Sequence, residues 1–232
     1  IILFVYKRLW HTVQTIEALH KNDLAKDSDL IIYSDAPKGE VDIQDVSAVR
    51  RYLATIGGFK SVKVVERSEN WGLAKSIIQG VTETVDLYGK VIVLEDDIVT
   101  SLYFLTFMNE ALELYKNEQR VFSVSGCNYP ADLSNVNDDT YFLRIPLCWG
   151  WATWKGRWGK FQKELDDIQM VSPELINYIN FDGNYNYFNQ AVHNVEGRLN
   201  TWFIFWYLAV AKNNGLALFP KIGLVENIGH DG

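Results

Sequence analysis

The chain has 232 residues, with 22 Lys+Arg against 29 Asp+Glu and a formal charge of −7. Apolar residues make up 48% and charged residues 22%, a globular balance that excludes wholesale disorder. The acidic balance argues against nucleic-acid binding, which rests on cationic contacts to phosphate. The aromatic content is high at 14%, with eight Trp; such residues are core material, but they also serve as flat stacking surfaces for sugars.

The first half alternates short apolar runs with helical periodicity, the pattern of a parallel α/β sheet. Residues 1–6 are a continuous apolar run suited to a strand covered on both faces. A helix over about 12–20 follows, with Val13, Ile16 and Leu19 at helical spacing. Residues 30–33 read as a second strand, ending in the turn-rich Ser34-Asp35-Ala36-Pro37-Lys38-Gly39. A helix near 46–56 stops at Gly57-Gly58, and 61–65 form a third strand. Residues 72–85 carry Leu73, Ile77, Val81 and Val85 on one helical face. Residues 91–94 are a fourth strand, followed at once by Glu95, Asp96 and Asp97. The next helix, about 101–116, is expected to bury Leu105, Met108, Leu112 and Tyr115, and 121–124 give a fifth strand. Beyond Gly126, residues 127–160 read as irregular and rich in Asn, Asp, Gly and Trp. A helical stretch over about 173–213 and a strand-like tail at 216–219 and 224–225 complete the chain.

Several classes are missing their signatures. Cys127 and Cys148 belong to no C-x-x-C pair and read as buried thiols in preference to a disulfide. The four His show no zinc spacing. No run approaches the roughly 18 apolar residues of a membrane span; the best, 201–211, reads as a core helix. The chain opens on Ile1 without an initiator Met, a basic segment or a cleavage site, and reads as trimmed. With no N-x-[ST] sequon, a cytoplasmic location is expected, any membrane association resting on segments outside this chain. No G-x-G-x-x-G follows the first strand. Lys75-Ser76 resembles the end of a P-loop, but Glu69 and Ala74 stand where that motif needs Gly. A kinase, NTPase or classical dehydrogenase is disfavoured.

In open α/β sheets, ligands bind beyond the carboxyl ends of the strands. That rule points to Lys7-Arg8, Ser34-Asp35, 66–70 and 95–97. Three consecutive acids after a buried strand repel one another where desolvation is costly. A hard cation such as Mn²⁺ or Mg²⁺ offsets that repulsion and takes one or two carboxylates together with phosphate oxygens. The alternative is that the acids merely solvate a strand-to-helix turn and favour the start of the next helix.

The segment Ser68-Glu-Asn-Trp-Gly-Leu-Ala-Lys-Ser-Ile-Ile-Gln-Gly-Val81, followed by Val91-Ile-Val-Leu-Glu-Asp-Asp-Ile98, resembles GT-A glycosyltransferases. The pattern is similar to family-2-like members related to the N-acetylglucosaminyltransferase that initiates complex N-glycan branching. Further matches are Phe122-Ser-Val-Ser-Gly-Cys-Asn128, Trp149-Gly-Trp-Ala-Thr-Trp154, and the tail from Asn213-Asn-Gly-Leu-Ala-Leu-Phe-Pro220 to Asn227-Ile-Gly229. In that family an E-D-D form of the DxD motif holds a metal and a nucleoside-diphosphate sugar. The resemblance implies that Asp97 ligates Mn²⁺ or Mg²⁺, that Asp96 sits near the ribose, and that Glu95 acts less directly. Arg8, Ser34, Asp35, Asn70 and Lys75 fall on loop positions that surround the nucleotide in such enzymes.

The family places an acid beside a Trp in the segment matching 197–206, where this chain has Asn200 and Phe203. Glu196 is the expected substitute as catalytic base, with Asp182 second. The expectation is therefore an α/β GT-A fold with a mainly parallel central sheet flanked by helices. It forms one catalytic domain over 1–232, with a nucleotide-sugar-binding half (1–126) and an acceptor-side half (127–232). The expected activity is inverting hexosyl or N-acetylhexosaminyl transfer from a UDP-sugar to a glycan or lipid-linked saccharide. Two other readings stay open: a non-catalytic carbohydrate- or nucleotide-sugar-binding relic, and a sugar nucleotidyltransferase.

Overall fold

The computed structural model describes residues 1–130, 132–163, 168 and 171–230. Four strands, β1 (Ile2–Val5), β2 (Asp29–Ser34), β3 (Ser61–Glu66) and β4 (Lys90–Glu95), pair in parallel around β1. The intervening helices are α1 (Leu9–His20), α2 (Ile43–Leu53) and α3 (Gly72–Tyr88). β1 is buried along its whole length, as its unbroken apolar run requires. Strand alternation sends its side chains to opposite faces. Leu3 and Val5 join a core with Ile16, Leu19, Val49 and Leu53 of α1 and α2, while Ile2 and Phe4 pack on Ile77, Val81 and Val85 of α3. Helices thus cover both faces of the sheet.

β5 (Ile98–Thr100) leads to α4 (Phe104–Leu114), which buries Leu105, Met108 and Leu112 in the first core. Tyr115 lies just past the helix and is half-buried. The sheet continues through β6 (Val121–Ser125), β7 (Thr140–Leu143), β8 (Trp151–Trp154) and β9 (Leu216–Pro220), in the order β3-β2-β1-β4-β8-β6-β9-β7. β1, β2, β3, β4, β6 and β9 share one direction, and β7 and β8 run against it. The stretch expected to be irregular therefore contains two strands. β8 enters between β4 and β6, with Lys90–Val93 opposite Trp154–Trp151. Four residues bounded by Gly150 and Gly156 carry too short a period to stand out as a strand. The pairing partners come from elsewhere in the chain.

The helical stretch divides into α6 (Pro173–Ile179), α7 (Phe188–Val195) and α8 (Phe203–Lys212), after a single-turn α5 (Lys155–Trp158). Left-handed backbone at Phe181, Asp182 and Gly183, and again at Gly197, separates the three. Every residue from Ile204 to Ala211 is buried, because α8 lies between the second core and a third core built from α6 and α7. The core reading of 201–211 holds, and none of the described helices is long and apolar enough to cross a membrane. Trp151, Trp158, Trp202 and Trp206 pack together, with Trp151 stacked on Trp202 at 5.3 Å and Trp158 against Trp206 at 5.2 Å. Most of the Trp are core. Both cysteines are free thiols, Cys127 buried and Cys148 partly so. A short antiparallel pair, β5 with β10 (Val225–Asn227), returns the chain's last segment to the end of β4.

Candidate functional site

Because β1, β2, β3 and β4 are parallel, the segments after Val5, Ser34, Glu66 and Glu95 all emerge at one end of the sheet. They surround a cleft of about 380 Å³. Phe4 and Tyr33, stacked at 5.3 Å, form its inner wall. Asp35, Asn70 and Gly72 line one edge, and Arg8, Glu95 and Asp96 the other. A polar clasp borders the opening. Tyr6 Oη and Lys7 Nζ each donate to Asp42 at 2.7 Å, and Tyr6 Oη accepts from Lys38 N at 2.9 Å.

The acids do not stand free. Arg8 Nη2 donates to both Asp96 Oδ1 and, at 2.7 Å, Asp97 Oδ2. Thr15 Oγ1 donates to the Asp96 carbonyl at 2.8 Å, and Ile228 N to the Asp97 carbonyl at 2.9 Å, so both peptide units are fixed. Burial raises the Asp96 carboxyl above the usual carboxylate range, against the opposing hydrogen bond and charge of Arg8. Glu95 is pushed up to about 8, by burial first and then by the charges of Asp97 and Asp96. The final segment closes over this cluster. A Cβ on Gly229 would lie 2.2 Å from Asp97 Oδ2 and 3.0 Å from Arg8 Nη1, so only glycine lets the tail pass so close.

Among the described residues, no three His, Cys, Asp or Glu side chains are arranged as a ready-made metal cage. The donor set nonetheless suits a hard divalent ion. Asp96 and Asp97 present adjacent carboxylate oxygens whose two negative charges the single Arg8 guanidinium only half balances. Mg²⁺-type ions commonly take one or two carboxylates and complete their shell with phosphate and water.

Asp35 has a structural task as well as a place in the cleft. Its Oδ1 accepts from Ala36 N and Trp71 N at 2.9 Å each, and its Oδ2 from Gly72 N at 2.8 Å. It thereby caps the start of α3 from the loop that follows β2, doing for those orphan N–H groups what a local N-cap would do. Asn70 Nδ2 reinforces the join by donating to the Ala36 carbonyl at 2.7 Å. An Asp35→Asn substitution turns one acceptor into a donor facing an N–H, whichever way the amide is oriented. It should lower stability by about 1–3 kcal/mol, measurable by urea unfolding.

Other expected residues fall differently. Ser34 is fully buried, and its hydroxyl accepts from Arg50 Nε at 3.3 Å. Lys75 points outward, with Nζ 4.1 Å from the Trp71 ring centroid and 3.9 Å from Glu69. The neighbouring Ser76 lines the cleft instead. If the cleft takes the nucleotide that the sequence motifs imply, Lys75→Ala is accordingly expected to change its affinity by no more than about twofold, as read by calorimetry. Leu73, expected on the buried face, is 52% exposed and lines the cleft mouth. Glu196 lies at the exposed end of α7, its carboxylate held by Arg198. Asn200 accepts from Lys163, and Asp182 pairs with Arg144 at 3.0 Å. None of these three lines the cleft.

Tyr33, Lys38, Ser76 and Asp42 were not anticipated as site residues, and the Gly229 segment, noted as a family match, had no role assigned to it. Helical spacing held a signal for one of them, because Ser76, Gly80 and Thr84 follow one another at four-residue intervals on the buried face of α3. The others depend on contacts across the fold.

No protein-family model and no curated protein sequence matches the chain. Solved structures do. S. aureus TarS 1-349 in complex with UDP-GlcNAc superposes with a TM-score of 0.55 at 9% identity, over 100% of this chain and 59% of that one. This is a GT-A-like fold. Another S. aureus TarS structure gives a TM-score of 0.50 at 11% identity, over 97% of this chain and 36% of that one. The mannosyltransferase PcManGT from Pyrobaculum calidifontis, in complex with GDP-Man and Mn²⁺, is 18% identical over 69% of this chain and 47% of its own, with a TM-score of 0.48. The chain spans less than two thirds of the length of each.

Proposed function

We propose that the chain is the donor-binding and catalytic region of a metal-dependent, inverting glycosyltransferase that moves a sugar from a UDP-sugar to a saccharide hydroxyl. The observation that carries this reading is a single cleft at the strand ends. It has hydrogen-bonding groups for a nucleoside at one edge and a cation–carboxylate cluster for a diphosphate at the other. The fold shared with TarS, whose structure holds UDP-GlcNAc, supports it. Kinship with the branching N-acetylglucosaminyltransferase rests on the ordered motifs alone.

In this reading the nucleoside lies against Phe4 and Tyr33. Asp35 uses three of the roughly four lone-pair positions of a carboxylate on backbone N–H groups, which leaves one for the nucleoside. Arg8 can turn its guanidinium to the diphosphate, a pairing that its fork geometry favours. Asp97, with Asp96 beside it, would hold Mn²⁺ or Mg²⁺. The ion, when bound, neutralises charge that develops on the leaving diphosphate. The sugar's bond to the diphosphate oxygen breaks as the acceptor oxygen bonds to the same carbon from the opposite face, and the acceptor's proton passes to a base. Glu196 can serve as that base only after releasing Arg198.

A second reading, nucleotide-sugar binding without transfer, is favoured by one observation: Asn200 stands where the family places an acid, and its side chain is engaged with Lys163. Calorimetry with UDP and GDP, each with and without Mn²⁺, tests the donor site. Metal-dependent UDP binding is expected, and absence of nucleotide binding under both conditions would refute both readings. Transfer, or slow hydrolysis of a UDP-sugar, then separates enzyme from binding protein.

A further inference from the structure

Five of the eight Trp (Trp151, Trp154, Trp158, Trp202 and Trp206) are no more than 5% exposed. Trp149, in the same Trp-Gly-Trp run, is 40% exposed. A lone exposed apolar side chain needs no explanation in itself. The position of this one does.

Three features place it. Gly150, at φ +59, turns the chain just before β8; a Cβ there would meet the side chains of Val225 at 2.9 Å and Phe104 at 3.1 Å. The turn is therefore fixed by packing, and the residue before it is held in place. The Trp149 ring meets His230 edge-on, with centroids 5.7 Å apart and planes at 65°. His230 follows Gly229, which lies against the Asp97 carboxylate. On the other flank, Cys148 lies within electrostatic reach of Glu95 and Asp97. Trp149 does not line the nucleotide cleft. The contacts run from the Asp35–Asn70 edge across to Arg8 and Asp96, then through Asp97 and Gly229 to His230 and Trp149. On the donor-site reading proposed above, this order places the indole past the diphosphate, on the side where the sugar and its acceptor would meet.

We infer that Trp149, braced by His230, is a stacking platform for a pyranose ring. A pyranose carries a face of C–H groups that can cover the electron-rich face of an indole while its hydroxyls keep their water. A rigid aromatic presents that area at small entropic cost. The placement rests on the transferase reading, as does assignment of the ring to donor or acceptor; the glycoside experiment tests the stacking separately from it.

Saturation-transfer NMR with the methyl glycosides of N-acetylglucosamine, glucose, galactose and mannose tests the platform directly. The intact chain is compared with Trp149→Ala and Trp149→Phe, each checked for an unchanged melting temperature. Transfer to the ring protons of at least one glycoside is expected, lost in Trp149→Ala and partly kept in Trp149→Phe. No transfer with the intact chain, or equal transfer with Trp149→Ala, would overturn the inference. Calorimetry with Mn²⁺ then identifies the ring. A loss of about five- to tenfold in Trp149→Ala for UDP-GlcNAc, UDP-glucose or UDP-galactose, with UDP unchanged, marks the donor sugar. Unchanged donor affinity with a raised acceptor KM marks the acceptor. An equal loss for UDP itself would mean nucleobase stacking and would also overturn the inference. If the intact chain binds no UDP, the transferase reading fails, and the glycoside spectra still decide the platform.

Discussion

On the proposed donor-site reading, replacing Asp97 with Asn should abolish metal-dependent UDP binding and lower sugar transfer by about a thousandfold. The amide keeps the size of the side chain but removes the charge that a divalent ion requires. A thousandfold loss corresponds to about 4 kcal/mol of transition-state stabilisation, within the range of a lost Lewis-acid interaction. The fold should persist, because Arg8 keeps Asp96 as a partner and the Asp97 carbonyl still accepts from Ile228 N. Circular dichroism checks that point, and calorimetry with UDP and Mn²⁺ checks binding. If the variant binds UDP as tightly as the parent and with the same metal dependence, Asp97 is not the ligand. Asp96 would then be the next to test.

Trp206→Ala should destabilise the chain by about 3–5 kcal/mol, the cost of a large cavity in a packed core. Trp206 is fully buried and sits among Trp151 at 5.9 Å, Trp158 at 5.2 Å and Phe122 at 6.1 Å. These rings fix α8 to β6 and β8, so the cavity would open between elements that come together only in the folded state. Among the described residues, Trp206 Nε1 has no hydrogen-bond partner. Trp206→Phe removes that orphan donor and keeps most of the ring, and should cost only about 1 kcal/mol. Urea unfolding of the two variants measures the difference. A cost below about 1 kcal/mol for the alanine variant would mean that the site collapses around the missing ring.

The first half of the chain was legible because its elements announce themselves locally. Continuous apolar runs marked β1 and β4, and the four-residue spacing of Ile77, Val81 and Val85 marked α3. Parallel strands need crossovers, so the ends of β1, β2 and β4 had to emerge together. This made Arg8, Asp35 and Asp96 foreseeable as neighbours. The back half was less legible. β8 is four residues long and takes its identity from pairing with residues about 60 positions earlier. The candidate base illustrates the same limit, because nothing local to Glu196 shows that Arg198 holds its carboxylate.

The sequence by itself determined the alternation of strands and helices, the position of the acid triplet after β4, and the core character of α8. All three follow from burial periodicity within one segment. Only the tertiary structure decided that Ser76 rather than Lys75 lines the cleft, and that Asp35 caps α3. Only it brought Gly229 against Asp97 and left Trp149 uncovered while the Trp that follow it in the run form the core. Each of those outcomes depends on which distant backbone or side chain arrives at a position, and local periodicity carries no record of the arrival.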